Sequence, residues 1–593
     1  MVYKRLLLML LLVPSLWKPE ALVAQQVTKD RYPAIGSPVN PKVSISWNRY
    51  YDTPALERLT KEIAEAHPGL VERVPVGKSF EGRTIWALVI TDESTGPAED
   101  KPAVYIDGNT HSNEIQAAEV SLYTAWLLTE GHHEDLGDIR ELLKHSAFYI
   151  LPSINPDGRY NFFNAANNMH SPRSGVVPHD DDRDGAIDED NYDDLNGDGH
   201  ITQMRRKKQG GRYRPHPQDP RILVPVKPGE PAGGYELLGY EGVDNDGDGK
   251  VNEDKTGYMD PNRDWAWGWQ PNSIQRGAYK YPFSLPETRA VADFIRARPN
   301  IHAALTYHNT GGMLLVGPGN AQDKPTYANA DKKIYDYFGN LGEDLLPGYK
   351  YINTFEDLYP VFGGESDWMY GARGIIAFTG ELWTPYLMFN KDAEGYFSSG
   401  EEAARFDRLL LMREAFVQWE TVEHPQYGEI EVGGFKKHFL RATPGFELER
   451  EAHRNAALAL EMARQLPRLS FSEPRVKPLP GGVYQVELEL QNQGYLPVVT
   501  AWAEKNKIYP PASLRISGEG NVLYSTILLE PELNIGMPES KRTRQNPDLI
   551  HLPNLKGYQQ RTIRFMVSAP GNYRLEFTSE RVAPQTVTVV VSE

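Results

Sequence analysis

Apolar positions in the first third of the chain alternate between helical and strand-like spacing. Within 50–77, apolar residues three or four positions apart predict a helix, which Pro68 and Gly69 end. The following segments predict strands at 84–91 and 102–109, a helix at 115–128, and a strand that leads into a turn at 147–158. Because strands and helices alternate, we predict an α/β domain with a mixed, mostly parallel sheet flanked by helices.

The pattern changes after about residue 465. Residues 486–497 and 561–579 alternate between apolar and polar side chains, which is the period of a half-buried strand. We therefore predict that the α/β domain covers 45–465 and that an all-β sandwich covers 470–593. We expect the sandwich to pack against the first domain; attachment to a surface or to a substrate polymer is the alternative.

The N-terminal residues 1–24 have the pattern of a signal peptide. Lys4 and Arg5 precede the short apolar run from Leu6 to Leu12, and Ala24 is a suitable cleavage point. A membrane anchor is the alternative, but the apolar run is too short to span a bilayer. We predict a secreted or periplasmic protein that has no membrane contact after the signal is removed.

Composition narrows the class of protein further. A chain of 593 residues is too long for one hydrophobic core, and its 40% hydrophobic content is that of a folded protein. The net charge of −17 argues against nucleic acid as a partner. The chain has no cysteine, so its stability depends on core size or bound metal and not on disulfides. We expect a monomer.

Histidine and glutamate side chains follow two of the predicted strands. His111 and Glu114 stand three positions apart where a strand gives way to a helix, and both residue types bind zinc. The pair alone is weak evidence. His308 ends the apolar run at 301–307 and can supply a third ligand; His302 is the rival, but it lies at the start of that run, at the opposite edge of the sheet.

Glu381 is a candidate for a carboxylate that is not a ligand. It directly follows the apolar segment "IIAFTG" at 375–380, where a charged residue is costly unless it lines a site. A zinc hydrolase needs such a carboxylate as a general base for its water. The alternative is an exposed glutamate at a strand end.

The motifs together resemble the zinc carboxypeptidases of the carboxypeptidase A type, of the secreted bacterial kind with a C-terminal β-domain. The resemblance covers about 45–420, and the motifs keep the family order. They are "THSNE" (110–114), "NPDG" (155–158), "DPNRDW" (260–265), "LTYHN" (305–309), "LYPVFGGESDW" (358–368) and "FTGEL" (378–382). The resemblance implies one catalytic zinc ion, bound by His111, Glu114 and His308, with Glu381 as general base.

The resemblance also implies how a substrate is held. It suggests that Asn262 and Arg263 bind the C-terminal carboxylate of a peptide, a task to which the planar guanidinium of arginine is suited. It implies that Tyr359 is the mobile tyrosine of the family. For the arginine that stabilises the oxyanion we choose Arg205, in the basic stretch 201–211, with Arg206 as the neighbour that could replace it.

Two positions depart from the digestive members of the family. Asn113 stands where the pancreatic enzymes carry an arginine, so an outer substrate contact is expected to differ. Ser366 falls where the specificity pocket is read, and because it is uncharged it does not support a preference for basic C-terminal residues. No long pro-segment separates the signal peptide from the first domain, so the usual type of zymogen is not expected.

The segment at about 168–258 is an acidic insertion with an internal repeat. Residues 180–190 and 244–254 share the pattern D-x-D-x-D-G-x-[IV]-[DN]-E-D, and 194–201 is a shorter version. Alternating oxygens with glycine at the sixth position form calcium loops. None has the glutamate at position twelve of an EF-hand, and an acidic disordered loop is the alternative. The candidate calcium ligands are Asp180, Asp182, Asp184, Asp194, Asn196, Asp198, Asp244, Asp246 and Asp248.

The sequence thus predicts an exported zinc metallocarboxypeptidase that acts on the C-termini of peptides or proteins, with calcium ordering the insertion and so positioning Arg205. Two alternatives remain. One is an amidohydrolase acting on cell-wall peptide stems or acylated amino acids, which the tyrosine segment disfavours. The other is a calcium-dependent binding protein with an inactive enzyme core, which the retention of Glu381 disfavours.

Overall fold

The computed structural model describes residues 34–391, 395–439, 441–538 and 544–592. The predicted signal peptide, 1–24, lies outside these residues. Within them, no helix is both long enough and apolar enough to cross a membrane.

The α-helices lie mainly in the first three quarters of the chain. They are α1 (Thr53–Ala66), α2 (Gln116–Glu134), α3 (Ile139–His145), α4 (Pro156–Asn164), α5 (Pro286–Arg296), α6 (Asn329–Leu345), α7 (Glu365–Arg373), α8 (Tyr386–Phe389), α9 (Gly400–Leu410), α10 (Gly445–Arg464) and α11 (Ala501–Asn506).

The strands up to residue 435 are β1 (Val71–Lys78), β2 (Thr84–Ile90), β3 (Ala103–Gly108), β4 (Ala147–Leu151), β5 (Gln203–Gly211), β6 (Tyr213–Pro215), β7 (Leu223–Pro225), β8 (Gly233–Tyr240), β9 (Ile301–Asn309), β10 (Met313–Val316), β11 (Lys350–Asn353), β12 (Ile376–Leu382), β13 (Phe416–His424) and β14 (Gly428–Phe435). Those that follow are β15 (Leu469–Phe471), β16 (Arg475–Leu479), β17 (Val483–Asn492), β18 (Ser513–Gly518), β19 (Val522–Glu530), β20 (Ile535–Gly536), β21 (Leu549–His551), β22 (Gln560–Val567), β23 (Gly571–Thr578) and β24 (Gln585–Val591).

The predicted helix and strands of the first third are present. Helix α1 begins where the Asp52 carboxylate accepts a hydrogen bond from the Ala55 amide, and its buried face includes Leu56, Leu59 and Ile63. Strand β1 follows directly after the turn. The sequence did not predict it, because its alternation of apolar and polar residues is weak.

The central sheet has eight strands in the order β1-β2-β4-β3-β9-β12-β10-β11. Neighbours are parallel in β4-β3, β3-β9, β9-β12 and β10-β11, and antiparallel in the other three pairs. Helices α1, α2, α6 and α10 contribute to the apolar core on one face, and α5 and α7 to the core on the other. The predicted fold class, a mixed and mostly parallel sheet flanked by helices, is confirmed.

A second sheet was not predicted. Its six strands lie in the order β13-β14-β5-β8-β6-β7, so the acidic insertion pairs with the segment after α9. The pairing β14-β5 is antiparallel, with Glu431 opposite Arg205. The basic stretch 201–211, which contains Arg205, is therefore mostly strand.

The C-terminal strands form two antiparallel sheets around one apolar core, as predicted for a β-sandwich. The sandwich packs against the α/β part through hydrogen bonds from buried or half-buried groups. Trp502 Nε1 donates to the Gly371 carbonyl at 2.8 Å, and Arg581 Nη1 donates to the Pro299 carbonyl at 2.8 Å. The carboxylate of Asp331, on α6, accepts the amides of Ala501 and Trp502 at 2.8 and 2.9 Å.

The Asp331 carboxylate gives a test of this contact. In Asp331→Ala the amides at the start of α11 and the Tyr370 hydroxyl, which also donates to Asp331, lose a buried acceptor. We expect the free energy of unfolding, measured by urea denaturation, to fall by about 1–3 kcal/mol. Asp344→Ala, on the exposed face of the same helix, is the control and should change it by less than about 0.5 kcal/mol. Equal values for both variants would contradict the contact's role.

Candidate active site

The candidate metal ligands lie where the central strands end. His111 and Glu114 occupy the turn between β3 and α2, and His308 is the penultimate residue of β9. In the parallel register of β12 and β9, Glu381 lies opposite His308. Because the carboxyl ends of parallel strands meet at one edge of a sheet, residues nearly two hundred positions apart become neighbours. His302, the rival ligand, lies at the other end of β9 and bonds to backbone carbonyls.

The three side chains converge on one point. Their ligand atoms lie within 4.8 Å of one another, and all three residues are buried. Nδ1 of His111 is 2.9 Å from Glu114 Oε1, and Nδ1 of His308 is 2.8 Å from Glu114 Oε2. The two Nδ1 atoms are 3.2 Å apart. Two nitrogens that each bind a tetrahedral zinc ion at about 2.0–2.1 Å are about 3.3 Å apart, so this donor set fits zinc.

The charge of the cluster suits a cation. Burial alone would raise the pKa of Glu114, but the charges and hydrogen bonds of His111 and His308 hold it well below its ordinary value. The carboxylate is therefore ionised. Together with one nitrogen from each imidazole it supplies the two nitrogens and one acid that are typical of hydrolytic zinc sites.

Asp260 orients the first ligand, and the sequence analysis missed it. Its Oδ1 lies 2.9 Å from His111 Nε2, so this nitrogen carries the proton and Nδ1 presents its lone pair to the metal position. The Asp260 carboxylate also accepts a hydrogen bond from Arg173 and lies 3.9 Å from Arg263 Nε. Although burial raises the pKa of Asp260, these cations and His111 lower it well below its ordinary value. The sequence feature that could have identified Asp260 is its position at the start of the "DPNRDW" motif.

Glu381 lies beside the cluster without joining it. Burial and the negative charge of Glu114 raise its pKa to about 7, while His308, Arg441 and Arg173 act in the opposite direction. A carboxyl group whose pKa is near neutral can both take up and release a proton.

A pocket of about 510 Å³ opens next to the metal position. Tyr359 and four cations, Arg173, Arg263, Arg276 and Lys255, line it. The cations outnumber the two lining carboxylates, Asp181 and Asp260, so the wall is cationic on balance. The Tyr359 side chain is exposed, with 52% of its surface accessible. The pocket can therefore accept an anionic group and has an aromatic side chain at its rim.

The two remaining predicted substrate residues, Asn262 and Ser366, are not among the residues that line this pocket. Asn262 uses its Oδ1 to accept the amide of Glu365 at 2.9 Å, which fixes the start of α7. Its carbonyl accepts Arg263 Nη1 at 2.6 Å. Ser366 is half-buried in the first turn of α7.

Arg205 does not reach the metal position, and its assignment is corrected. Its Nε donates to Glu431 Oε2 at 2.7 Å, and its guanidinium stacks on Trp419 and Tyr235 at 3.8 and 4.6 Å from the ring centres. These contacts hold it within the second sheet. Arg206 pairs with Glu236, also within that sheet.

Arg173 is the arginine that the fold brings to the centre in place of Arg205. It donates a hydrogen bond to Asp260. Burial lowers the pKa of Arg173, but the negative charges of Asp260 and Glu114 raise it above its ordinary value. It lies between the "NPDG" motif and the acidic repeats, where no basic cluster marks it. Sequence reasoning favoured the richer cluster at 201–211 because a single arginine carries no pattern.

The two long acidic repeats are interlocked. Asp254, the last residue of the second, accepts the amides of Asp181 and Asp188 in the first at 2.9 and 3.1 Å. Asp190, the last residue of the first, accepts the amides of Asn245 and Asn252 in the second at 3.4 and 2.9 Å. The repeats therefore form a pair with approximate two-fold symmetry.

Carboxylates of both repeats meet between them. The groups whose oxygens lie within 4.8 Å of one another are Asp182, Asp246, Asp248 and Glu253; Asp184, Glu189 and Asp246; and Asp180, Asp182 and Asp184. The third repeat folds in the same way, with the amides of Gly197, Asp198 and Gly199 donating to Asp194. The glutamates at position ten thus join the acidic groups, whereas the aspartates at position eleven cap the partner loop.

Comparison with known proteins shows the family to which the chain belongs. The zinc carboxypeptidase family model matches residues 56–211 and 234–402, together more than half of the chain. The chain belongs to the zinc carboxypeptidase family, whose metal is zinc. A second model, of a domain of unknown function (DUF8731), matches residues 468–590.

Individual relatives are distant. Zinc carboxypeptidase A 1 of Anopheles gambiae is 23% identical over 352 residues, which cover 58% of this chain and 61% of that protein. Zinc carboxypeptidase A 1 of Drosophila melanogaster is 23% identical over 382 residues, covering 62% of this chain and 70% of that one. The crystal structure of thrombin activatable fibrinolysis inhibitor aligns with a TM-score of 0.40 and 16% identity, over 71% of this chain and 75% of that one.

The role of Asp260 can be measured directly. Asp260→Asn keeps the size of the side chain but removes the charge that holds His111 and Arg173. We expect zinc affinity, determined by competition with a chelator, to fall by about 10- to 100-fold. Asp293→Asn, at the surface of α5, is the control. An unchanged zinc affinity in Asp260→Asn would rule out the orienting role.

Proposed function

We propose that the protein is an exported, monomeric zinc metallocarboxypeptidase that hydrolyses the C-terminal peptide bond of peptides or proteins. The observation that carries the proposal is the convergence of His111, Glu114 and His308 beside Glu381 and beside a cationic pocket. A hydrolytic centre that adjoins a site for one carboxylate suits a substrate cut next to its free C-terminus.

The residues of the pocket have separate tasks in binding. Arg263 offers a planar guanidinium to the terminal carboxylate of the substrate, and Tyr359 at the rim can close over the bound residue. Arg173 places a second positive charge close to the metal position, where negative charge develops on the carbonyl oxygen.

Bond cleavage requires one proton acceptor. Zinc, when bound, polarises the scissile carbonyl and makes water more acidic. Glu381 takes a proton from the attacking water, whose oxygen forms a bond to the carbonyl carbon. It then delivers that proton to the amide nitrogen as the carbon–nitrogen bond breaks.

The alternatives receive less support. The amidohydrolase alternative has no need of a tyrosine at the pocket rim, where Tyr359 lies. A protein with an inactive enzyme core has no use for a half-buried glutamate of raised pKa opposite a metal ligand.

Glu381→Gln tests the proposed base. The amide keeps the shape of the side chain but cannot accept the proton, so kcat/KM for C-terminal release should fall by about 10²- to 10⁴-fold. Zinc content should stay at one ion per chain, because Glu381 is not a ligand. Products from a mixed peptide library, read by mass spectrometry with and without a zinc chelator, provide the measurement. Equal activity of the variant and the original protein would exclude Glu381 as the base.

We also propose that calcium orders the acidic insertion. The interlocked repeats bring carboxylates from two loops to shared points, and carboxylate oxygens are the ligands that Ca²⁺ prefers. The loops adjoin the substrate pocket, whose lining includes Asp181, Lys255 and Tyr258. Calcium would therefore stabilise a wall of this pocket, and not Arg205 as the sequence suggested.

Asp246 belongs to two of the acidic groups, so Asp246→Asn weakens both. We expect this variant to bind less calcium per chain, measured by elemental analysis, to lose the rise in Tm that calcium gives the original protein, and to have a raised KM for peptides. Asp293→Asn again serves as control. Calcium removal that leaves both Tm and kcat/KM of the original protein unchanged would refute the calcium proposal.

A further inference from the structure

Arg441 reaches the metal centre from outside the region that the family model matches, which ends at residue 402. Its Nη1 donates to the carbonyl of Asn309, the residue after His308, at 3.0 Å and lies 3.9 Å from Glu114 Oε1. Its Nη2 lies 3.3 Å from Nδ1 of His170. The guanidinium is therefore held in place at the edge of the cluster.

The charge of Arg441 is largely buried and poorly paired. Only 18% of its side chain is accessible, and Nε has no hydrogen-bond partner among the described residues. Among the described residues, Glu114 has the one carboxylate within 4.0 Å of the Arg441 guanidinium, and Glu114 is also a candidate metal ligand. A buried guanidinium with donors to spare is costly unless something else binds it.

A second pocket, of about 340 Å³, lies in front of Arg441. Trp383, Tyr396 and Phe397 supply aromatic walls to it. His170 lines both this pocket and the cationic one, so the two pockets meet beside the metal centre. If the cationic pocket holds the C-terminal residue of a peptide, the second pocket lies where the residues upstream of the scissile bond would pass.

Asn113 cannot fill the role of Arg441. Its Nδ2 is used in a hydrogen bond to the Met169 carbonyl at 3.0 Å, and the side chain carries no charge. Asn113 therefore supplies no cation to the cluster. Arg441 brings one to the same cluster from the other end of the catalytic region.

We propose that Arg441 binds the main-chain carbonyl one residue upstream of the scissile carbonyl, so that the second pocket is a subsite for the upstream part of a peptide. The proposal rests on the proposed carboxypeptidase function. A guanidinium offers several N–H donors, and a main-chain carbonyl is present in every peptide whatever its side chains. The aromatic walls then contact the side chain next to that carbonyl.

Two substrates that differ in this carbonyl provide the test. N-acetyl-Phe-X and 3-phenylpropanoyl-X, where X is the residue that the enzyme releases best, are alike except for the acetylamino group. In Arg441→Gln we expect kcat/KM for N-acetyl-Phe-X to fall by about 10- to 100-fold, as for the loss of one charged hydrogen bond. We expect the value for 3-phenylpropanoyl-X to change by less than about threefold. Arg441→Lys should be intermediate, because lysine keeps the charge but not the planar fork.

The controls separate this role from a structural one. Arg405→Gln, an exposed arginine of α9, should leave both values unchanged. Zinc content and Tm of each variant show whether the neighbouring ligand Glu114 and the fold are intact. Equal losses for the two substrates overturn the proposal, and so does a selective loss that requires an acidic side chain in place of the phenylalanine.

Equilibrium binding keeps the inference separate from the proposed function. In the Glu381→Gln background, calorimetry compares the Kd values of the same two compounds with and without Arg441→Gln. A selective weakening of N-acetyl-Phe-X supports the role of Arg441 even if the original protein releases no amino acid, a result that would refute the carboxypeptidase function alone. Equal weakening of both compounds overturns the role of Arg441.

Discussion

The structure of the site depends on one interaction, the approach of two imidazole nitrogens to the carboxylate of Glu114. The Nδ1 atoms of His111 and His308 lie 3.2 Å apart within a buried region, where lone pairs that face each other repel unless a cation or a proton lies between them. The rigid central sheet fixes this approach, because β3 and β9 are direct neighbours in parallel register. A slip of either strand would separate the ligands.

Asp260 extends this constraint from the metal ligands to the substrate pocket. Its carboxylate contacts His111 on one side and Arg173 and Arg263 on the other. Asp260 thus sets both the orientation of the His111 ring and the positions of the two arginine side chains at the pocket. Under the proposed function, substrate binding and metal binding would therefore be coupled through one buried anion, whose negative charge the surrounding cations stabilise.

Local patterns predicted the parts of the structure that depend on local sequence. The ligand motif after β3, the histidine at the end of β9, the glutamate in β12 and the alternating strands of the sandwich all follow from periodicity or from short motifs. The predictions that were wrong or absent involve contacts between segments that are distant in the sequence. Arg205 lies in the stretch with the stronger local signal, but its partner Glu431 is 226 residues away in the sequence. This pairing places Arg205 in the second sheet, which no local pattern predicted. Arg173 and Arg441 are isolated arginines, and their positions beside Asp260 and Glu114 appear only when the fold is known.

The distribution of charge around the site differs from that of the whole chain. The protein carries a net charge of −17, yet in the pocket wall four cations, Arg173, Arg263, Arg276 and Lys255, outnumber two carboxylates, Asp181 and Asp260. The acidic repeats lie immediately beside that wall, so without a counterion their field would cancel part of the attraction for a substrate carboxylate. A cation bound between the repeats would reduce this opposition while ordering the loops. Screening by water and salt limits the reach of distant charges. Neutralisation of the nearby repeats, and not the overall charge, would then determine how strongly the pocket attracts an anionic chain end.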